Sequence, residues 1–214
     1  MEYFISDLHL FHENCLRFDN RPFKNIEEMH NTIIKNWNEK VTNGDTVYIL
    51  GDISMRGTNL ELIKLVSTLK GHKVLVKGNH DQVKDYRYQQ LFQEIVDYKE
   101  AQTTLPKEND PTRNISVNVV LSHYPILMWK NQHCSYVHLY GHVHNSIEEV
   151  IFQDAIARIN RGDFVNDGHP RREGDNPLRA YNVGCMMPWM NYCPKSLEEI
   201  ISGYESLKSD NYRS

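Results

Sequence analysis

Five short segments of the chain carry the residue types that hold metal ions or move protons: Asp7-Leu8-His9, Gly51-Asp52, Gly78-Asn79-His80-Asp81, Ser122-His123 and Gly141-His142-Val143-His144. Carboxylate, amide and imidazole donors without a thiolate suit Mn, Fe, Co, Ni or Zn. Taken singly, Asp-x-His or Gly-Asp is an ordinary turn. What points to a site is their recurrence, each directly after an apolar run. Side chains alternate along strand-like backbone, so Asp7 and His9 are expected on one side, as are His142 and His144. Glycine before Asp52, Asn79 and His142 predicts tight turns where strand meets site.

The elements that must position these segments follow from pattern. Residues 3–6 (YFIS) read as a first strand. A helix begins at Asn25, capped with Glu28 three residues on; Ile26, Met29, Ile33, Trp37 and Val41 form its apolar face, and Gly44 closes it. TVYIL (46–50) is the next strand. Thr58 with Glu61 reads as a capping box for a helix through Leu69, ended by Gly71, and KVLVK (73–77) is a third strand. Strands alternating with helices imply parallel pairing, and ligands gather beyond the carboxyl ends of such strands. The second half differs. Residues 115–123 and 135–144 read as strands, as do 147–152 and the stretch from Arg179 to Val183, while Ser196 with Glu199 caps a short terminal helix. The polar, turn-rich stretch 160–177, within a loop or insertion spanning about 153–178, has no periodicity. The expectation is one α/β domain over 1–214 that begins with βαβ units and ends in antiparallel strands.

A chain of 214 residues, 40% hydrophobic and without a Pro/Gly/Ser-rich linker, fits one core. Its formal charge of −4 provides no global basic field for a polyanion. The opening MEYFISDLHL is too short and too acidic for a signal peptide, and no stretch approaches the roughly 20 apolar residues that span a bilayer. Four cysteines without CxxC spacing predict reduced thiols in a cytoplasmic protein.

The ordered series Asp7-x-His9, Gly51-Asp52, Gly78-Asn79-His80-Asp81, His123, Gly141-His142-x-His144 resembles the signature of the calcineurin-like metallophosphoesterase superfamily. Phe11-His12-x-Asn14, Arg21-Pro22-Phe23, Thr46-Val47-Tyr48, Ser122-His123-Tyr124-Pro125, Asn182-Val183-Gly184 and Ser196-Leu197-Glu198-Glu199 resemble its single-domain bacterial and phage branch. The resemblance implies a four-layer αββα sandwich of two mixed β-sheets flanked by helices. It also implies a phosphoester hydrolase with two divalent metals, Mn first among them. Asp7, His9 and His144 would hold one ion, Asn79, His123 and His142 the other, and Asp52 would bridge them, with a metal-bridging hydroxide as nucleophile. His80 would meet the substrate phosphate or protonate the leaving group, with Asp81 orienting its ring. Arg56 resembles the arginine of the Gly-Asp-x-x-Asp-Arg-Gly segment of protein phosphatases, which binds phosphate, although Met55 stands where the acid belongs.

His12 and Asn14 lie at the rim, where they touch substrate or hold the 7–14 loop. Tyr124 and Trp129 flank His123 and are read as packing rather than as a base-stacking pair. His30, His72, His133, His138 and His169 match no motif position and are assigned to structure or surface. The leading expectation is a phosphodiesterase on a small or nucleotide phosphodiester. The alternatives are a phosphomonoesterase or protein phosphatase, a nuclease using Arg158, Arg161, Arg171 and Arg172, and a non-catalytic scaffold. The scaffold reading is opposed by the presence of His80 and every ligand. The sequence is silent on oligomeric state.

Overall fold

The structure, a computed structural model, describes residues 1–55, 59–163 and 176–211. Its first sheet is wholly parallel, in the order β1 (Glu2–Ile5), β2 (Thr46–Ile49), β3 (His72–Val76), β4 (Glu94–Val96). The register pairs Ile5 with Ile49 and Ile49 with Leu75, which brings the carboxyl ends level. A short helix α1 (Cys15–Phe18) precedes the crossover helix α2 (Ile26–Lys40). Asn25 Oδ1 accepts the Glu28 N–H at 2.8 Å and Glu28 Oε2 accepts the Lys24 N–H at 2.7 Å, so the expected N-terminal cap forms. Ile26, Met29, Ile33, Trp37 and Val41 are all buried along the expected face. The second crossover, α3 (Leu60–Ser67), is capped by Asn59, whose Oδ1 accepts the Leu62 N–H at 2.8 Å. The expected Thr58 cap lies outside the described residues. Helix α4 (Tyr86–Gln89) leads into β4.

The second sheet is mixed, in the order β5 (Tyr98–Lys107), β6 (Asp110–Ser122), β7 (Val137–Tyr140), β8 (Arg179–Asn182). β5 and β6 form an antiparallel hairpin, and β7 and β8 extend the sheet in parallel. The chain thus has the expected α/β sandwich of two sheets flanked by helices, the first sheet wholly parallel and the second mixed.

Residues 147–152 depart from the expected strand. They form no strand but the start of α5 (Ile147–Arg161), which also takes residues 153–161 out of the expected loop. Ser146 caps it by accepting the Glu148 N–H at 3.2 Å, and Gly162 ends it at φ 81°. The apolar run misleads because Ile147, Val150 and Ile151 are exposed, whereas Phe152 and Ile156, one turn apart, are buried against the second sheet. The final helix α6 (Leu197–Asn211) is longer than expected but keeps its capping box: Glu199 Oε2 accepts the Ser196 N–H at 2.9 Å. Residues 164–175, most of the polar stretch 160–177, lie outside the described residues.

Alternation within the second sheet sorts its two faces. Val119, Leu121, Val137, Leu139 and Tyr181 share one core with Ile5, Val47, Ile49 and Leu75 of the first sheet. Their neighbours Val120, Tyr140 and Ala180 face the other way, onto Phe152 and Ile156 of α5. The two sheets are therefore fixed against each other behind the edge where the strands end. Among the described residues, no helix is long and apolar enough to cross a membrane.

Candidate metal centre

Each expected segment emerges just past the carboxyl end of a strand: Asp7 and His9 after β1, Asp52 after β2, Asn79 and His80 after β3, His123 after β6, His142 and His144 after β7. The extended backbone expected for the paired residues is not what brings them together. Asp7 (φ 54°), His9 (50°), Asp52 (54°), His142 (70°) and His144 (49°) all sit in the left-handed region. Such residues cost on the order of 1–3 kcal/mol each and persist only where the surroundings fix them. Backbone bonds do so here: Asp7 N–H to Gly51 O at 3.0 Å, and His9 N–H to Asp52 O at 3.0 Å. The His142 N–H is held by both oxygens of Asp7, at 3.2 and 3.1 Å. Gly78 and Gly141 serve close approach rather than a turn. A Cβ on Gly78 would collide with the Asp52 carboxylate, and one on Gly141 with Ser6 and the Asp7 carboxylate.

The side chains converge as two clusters. Asp7, His9 and His144 bring donor atoms within 4.8 Å of one another, and Asp52, His123 and His142 do the same. In the first, His9 Nε2 faces His144 Nε2 at 3.2 Å, and Asp7 Oδ1 is 3.5 Å from His144 Nε2. In the second, His142 Nδ1 faces His123 Nε2 at 3.2 Å, and Asn79 Oδ1 lies 3.0 Å from the same nitrogen. Asp52 Oδ2 reaches both clusters, 3.5 Å from His123 Nε2 and 4.0 Å from His9 Nε2.

Hydrogen bonds on the far side of the rings set which nitrogen faces inward. His123 Nδ1 pairs with Leu50 O at 2.8 Å and His144 Nδ1 with Asp19 Oδ1 at 2.6 Å. Both partners are acceptors, which assigns the proton to Nδ1 and leaves the Nε2 lone pair aimed into the cluster. Burial by itself would depress His144, but hydrogen bonds to Asp19 and Asp7 outweigh it and lift its pKa to about 9. Burial would likewise raise the Asp7 carboxyl, yet His144, His123 and His9 hold it well below the usual carboxylate range. The first cluster thus strongly favours positive charge between two carboxylates, a place a divalent ion can take from a proton. Converging lone pairs, a shared carboxylate and oriented rings fit a pair of divalent cations.

Other expected residues divide. His80 is partly exposed beside Asp52; its N–H donates to Asp52 Oδ1 at 3.0 Å, and its Nε2 lies 4.0 Å from Asp52 Oδ2. Asp81 does not orient it. Asp81 Oδ2 accepts N–H bonds from Asp52 and Gly78 at 2.8 Å, and Oδ1 accepts from Ile53 at 3.1 Å, so this carboxylate clamps two loops together. Burial, with Asp52 nearby, raises its pKa against the pull of those amides. His12 is buried, with its ring 5.4 Å from that of His9, while exposed Asn14 accepts Arg17 Nη2 at 2.8 Å. Arg56, Arg171 and Arg172 lie outside the described residues. Arg158 and Arg161 pair with Asp163, at 3.8 and 2.7 Å. Trp129 is buried as expected, but Tyr124 is exposed and packs on His142, with ring centroids 4.5 Å apart.

Sequence reasoning missed Asp19 and Arg21. Arg21 is buried, donates Nε to Asp19 Oδ2 at 2.8 Å, and donates through its two Nη groups to Leu8 O at 3.0 Å and Asp7 O at 2.9 Å. It thereby fixes both the carboxylate behind His144 and the loop that carries Asp7. The only sequence signal was Arg21-Pro22-Phe23, which carries no role by itself. Asn182 is a further support, donating to His144 O at 2.8 Å.

The chain matches the calcineurin-like phosphoesterase family over residues 3–178. It is 45% identical over 80 residues to an uncharacterized protein of Methanocaldococcus jannaschii, a match spanning 37% of this chain and 46%, under half, of that protein. It is 30% identical over 163 residues to the Gene 66 protein of Mycobacterium phage D29, spanning 68% of this chain and 79% of the phage protein. A crystal structure of a protein of unknown function from Aquifex aeolicus aligns with a TM-score of 0.53 and 25% identity, covering 94% of this chain and 98% of that one. The strand-end clusters and the family match over most of the chain lead to one conclusion: this protein belongs to the calcineurin-like phosphoesterase family.

Proposed function

We propose that the protein is a two-metal phosphodiesterase acting on a small or nucleotide phosphodiester. The observation that carries this reading is Asp52, whose Oδ2 reaches histidines of both donor clusters while His80 stands partly exposed beside it. Asp7, His9 and His144 would hold one ion and Asn79, His123 and His142 the other, with Asp52 shared. Mixed oxygen and imidazole donors suit Mn, with Fe, Co, Ni or Zn able to replace it. When bound, the two ions supply the Lewis acidity that activates water and offsets charge on the phosphoryl oxygens.

The chain's own residues do the rest. His80 is placed to meet the phosphate or protonate the leaving oxygen, and its backbone N–H holds Asp52 in position. Asp81 sets the loop geometry from behind, and Asp19 and Arg21 keep the His144 ring facing inward. His12, whose ring lies 5.4 Å from that of His9, is placed beside the first cluster. The four cysteines are free thiols in the structure, which suits a reducing, cytoplasmic setting.

With Mn²⁺ supplied, bis-p-nitrophenyl phosphate is expected to turn over faster than p-nitrophenyl phosphate. The reverse order would favour a phosphomonoesterase. Steeply salt-dependent binding and cleavage of single-stranded DNA would instead favour a nuclease.

A further inference from the structure

Phe18, the last residue of α1, is a large apolar side chain left about half exposed (52%) at the edge of the first cluster. Its ring lies 6.1 Å from that of His9, 5.5 Å from His12 and 5.7 Å from His144, centroid to centroid. One side of the ring is thus built into the histidine cluster. Phe18 also lines an open cleft of about 560 Å³ that runs past His142 and His144 to the first turn of α5. A cleft of that size accepts a ligand of nucleotide dimensions. Its remaining lining includes Asn20, Asn145 and Glu148, which offer amide donors and acceptors and a carboxylate.

We propose that this cleft is a nucleobase subsite: Phe18 presents a stacking platform, while Asn20, Asn145 and Glu148 meet the polar edge of the base. This deepens the phosphodiesterase reading and rests on it for the position of the phosphate, which His142 and His144 border. The chemistry selects a heteroaromatic base over an acyl chain. An acyl chain would cover Phe18 but bring no hydrogen-bonding group to the Asn20 and Asn145 amides. Every natural base offers both an apolar face and an N–H donor on its edge. Tyr124, packed on His142 and His123, belongs to the second cluster and does not line this cleft.

The test pairs kinetics with binding. Thymidine 5′-(p-nitrophenyl phosphate) and methyl p-nitrophenyl phosphate share a leaving group and differ in the nucleoside. The Mn²⁺-loaded protein is expected to favour the nucleoside ester roughly tenfold in kcat/KM, and Phe18→Ala to abolish that ratio. Phe18→Leu, which keeps an apolar contact with the histidines but lacks the π face, should lose it too, whereas Phe18→Tyr should keep it. Calorimetry should show AMP binding about tenfold more tightly than inorganic phosphate to the wild type, and equally tightly to Phe18→Ala. No preference for the nucleoside ester or for AMP in the wild type would overturn the subsite, as would a preference that survives in Phe18→Ala. A preference for AMP with no hydrolysis of either ester would overturn the hydrolase reading and leave the subsite standing.

Discussion

Asp19 touches no cluster donor except through His144, yet its 2.6 Å bond to Nδ1 decides which nitrogen of that ring is free. Arg21 then holds Asp19 and the carbonyl of Asp7 together. Asp19→Asn is expected to weaken Mn²⁺ binding by about 10–100-fold, the usual cost of losing such an orienting partner, as read by calorimetry on protein whose circular dichroism is unchanged. Unaltered affinity would show that His144 needs no orientation. His80→Ala should keep both metals, counted by mass spectrometry, and lose about 10²–10⁴ in kcat, the range for a proton-transfer group. Full activity in that variant would remove His80 from the chemistry. The residues of the two donor clusters were legible in the sequence because their types and their positions after apolar runs carry meaning in one dimension. Asp19, Arg21 and Phe18 were not, because an aspartate, an arginine and a phenylalanine near a turn acquire roles only through what the folded chain sets beside them. The expected Asp81–His80 pair failed for the same reason: adjacency in sequence did not foretell that the carboxylate turns inward to three backbone amides.

Loops and strands show where pattern reading ends. The βαβ half followed from caps and periodicity at Asn25 and along α2, and those signals are local. At 147–152 the apolar run looked like a strand, and only the burial of Phe152 and Ile156 against the second sheet shows it to be one side of α5. Left-handed backbone at Asp7, His9, Asp52, His142 and His144 carried no sequence mark, since none is glycine. Glycine did mark close approach at Gly141. Gly141→Ala should displace the Asp7 carboxylate and weaken binding at the first cluster well before it unfolds the chain; unchanged metal affinity would show that the loop can yield. In β7, His138 is fully buried, with Nδ1 paired to Val120 O at 3.1 Å and Nε2 accepting the Ile126 N–H at 3.0 Å. Burial outweighs the pull of the Val120 and Tyr124 backbone groups and brings its pKa down to about 4. A folded value below the ordinary 6.5 means the stability is fully present above pH 6.5 and drains away as pH falls through 4. Denaturant titrations should show up to about 3 kcal/mol lost over that window, and a smaller loss in His138→Gln. Equal slopes in the two proteins would clear His138.

At the scale of the whole molecule, the two sheets share one core and deliver the loops of both donor clusters to one edge, so the candidate site links halves of the chain that are distant in sequence. Left-handed backbone and facing imidazoles at that edge lead to the expectation that bound cations stabilise it. Mn²⁺ at about 100 times its dissociation constant should raise Tm by roughly 5–10 °C, and EDTA should reverse the rise. The central claim is that two ions on this shared edge make the protein a phosphoesterase. It is tested most directly by titrating Mn²⁺ into metal-stripped protein while following bound metal and hydrolysis of bis-p-nitrophenyl phosphate together. The account predicts two ions per chain, with activity appearing as the second site fills and abolished by EDTA. A chain carrying both ions with no turnover on any phosphoester, or one whose hydrolysis ignores EDTA, would contradict it.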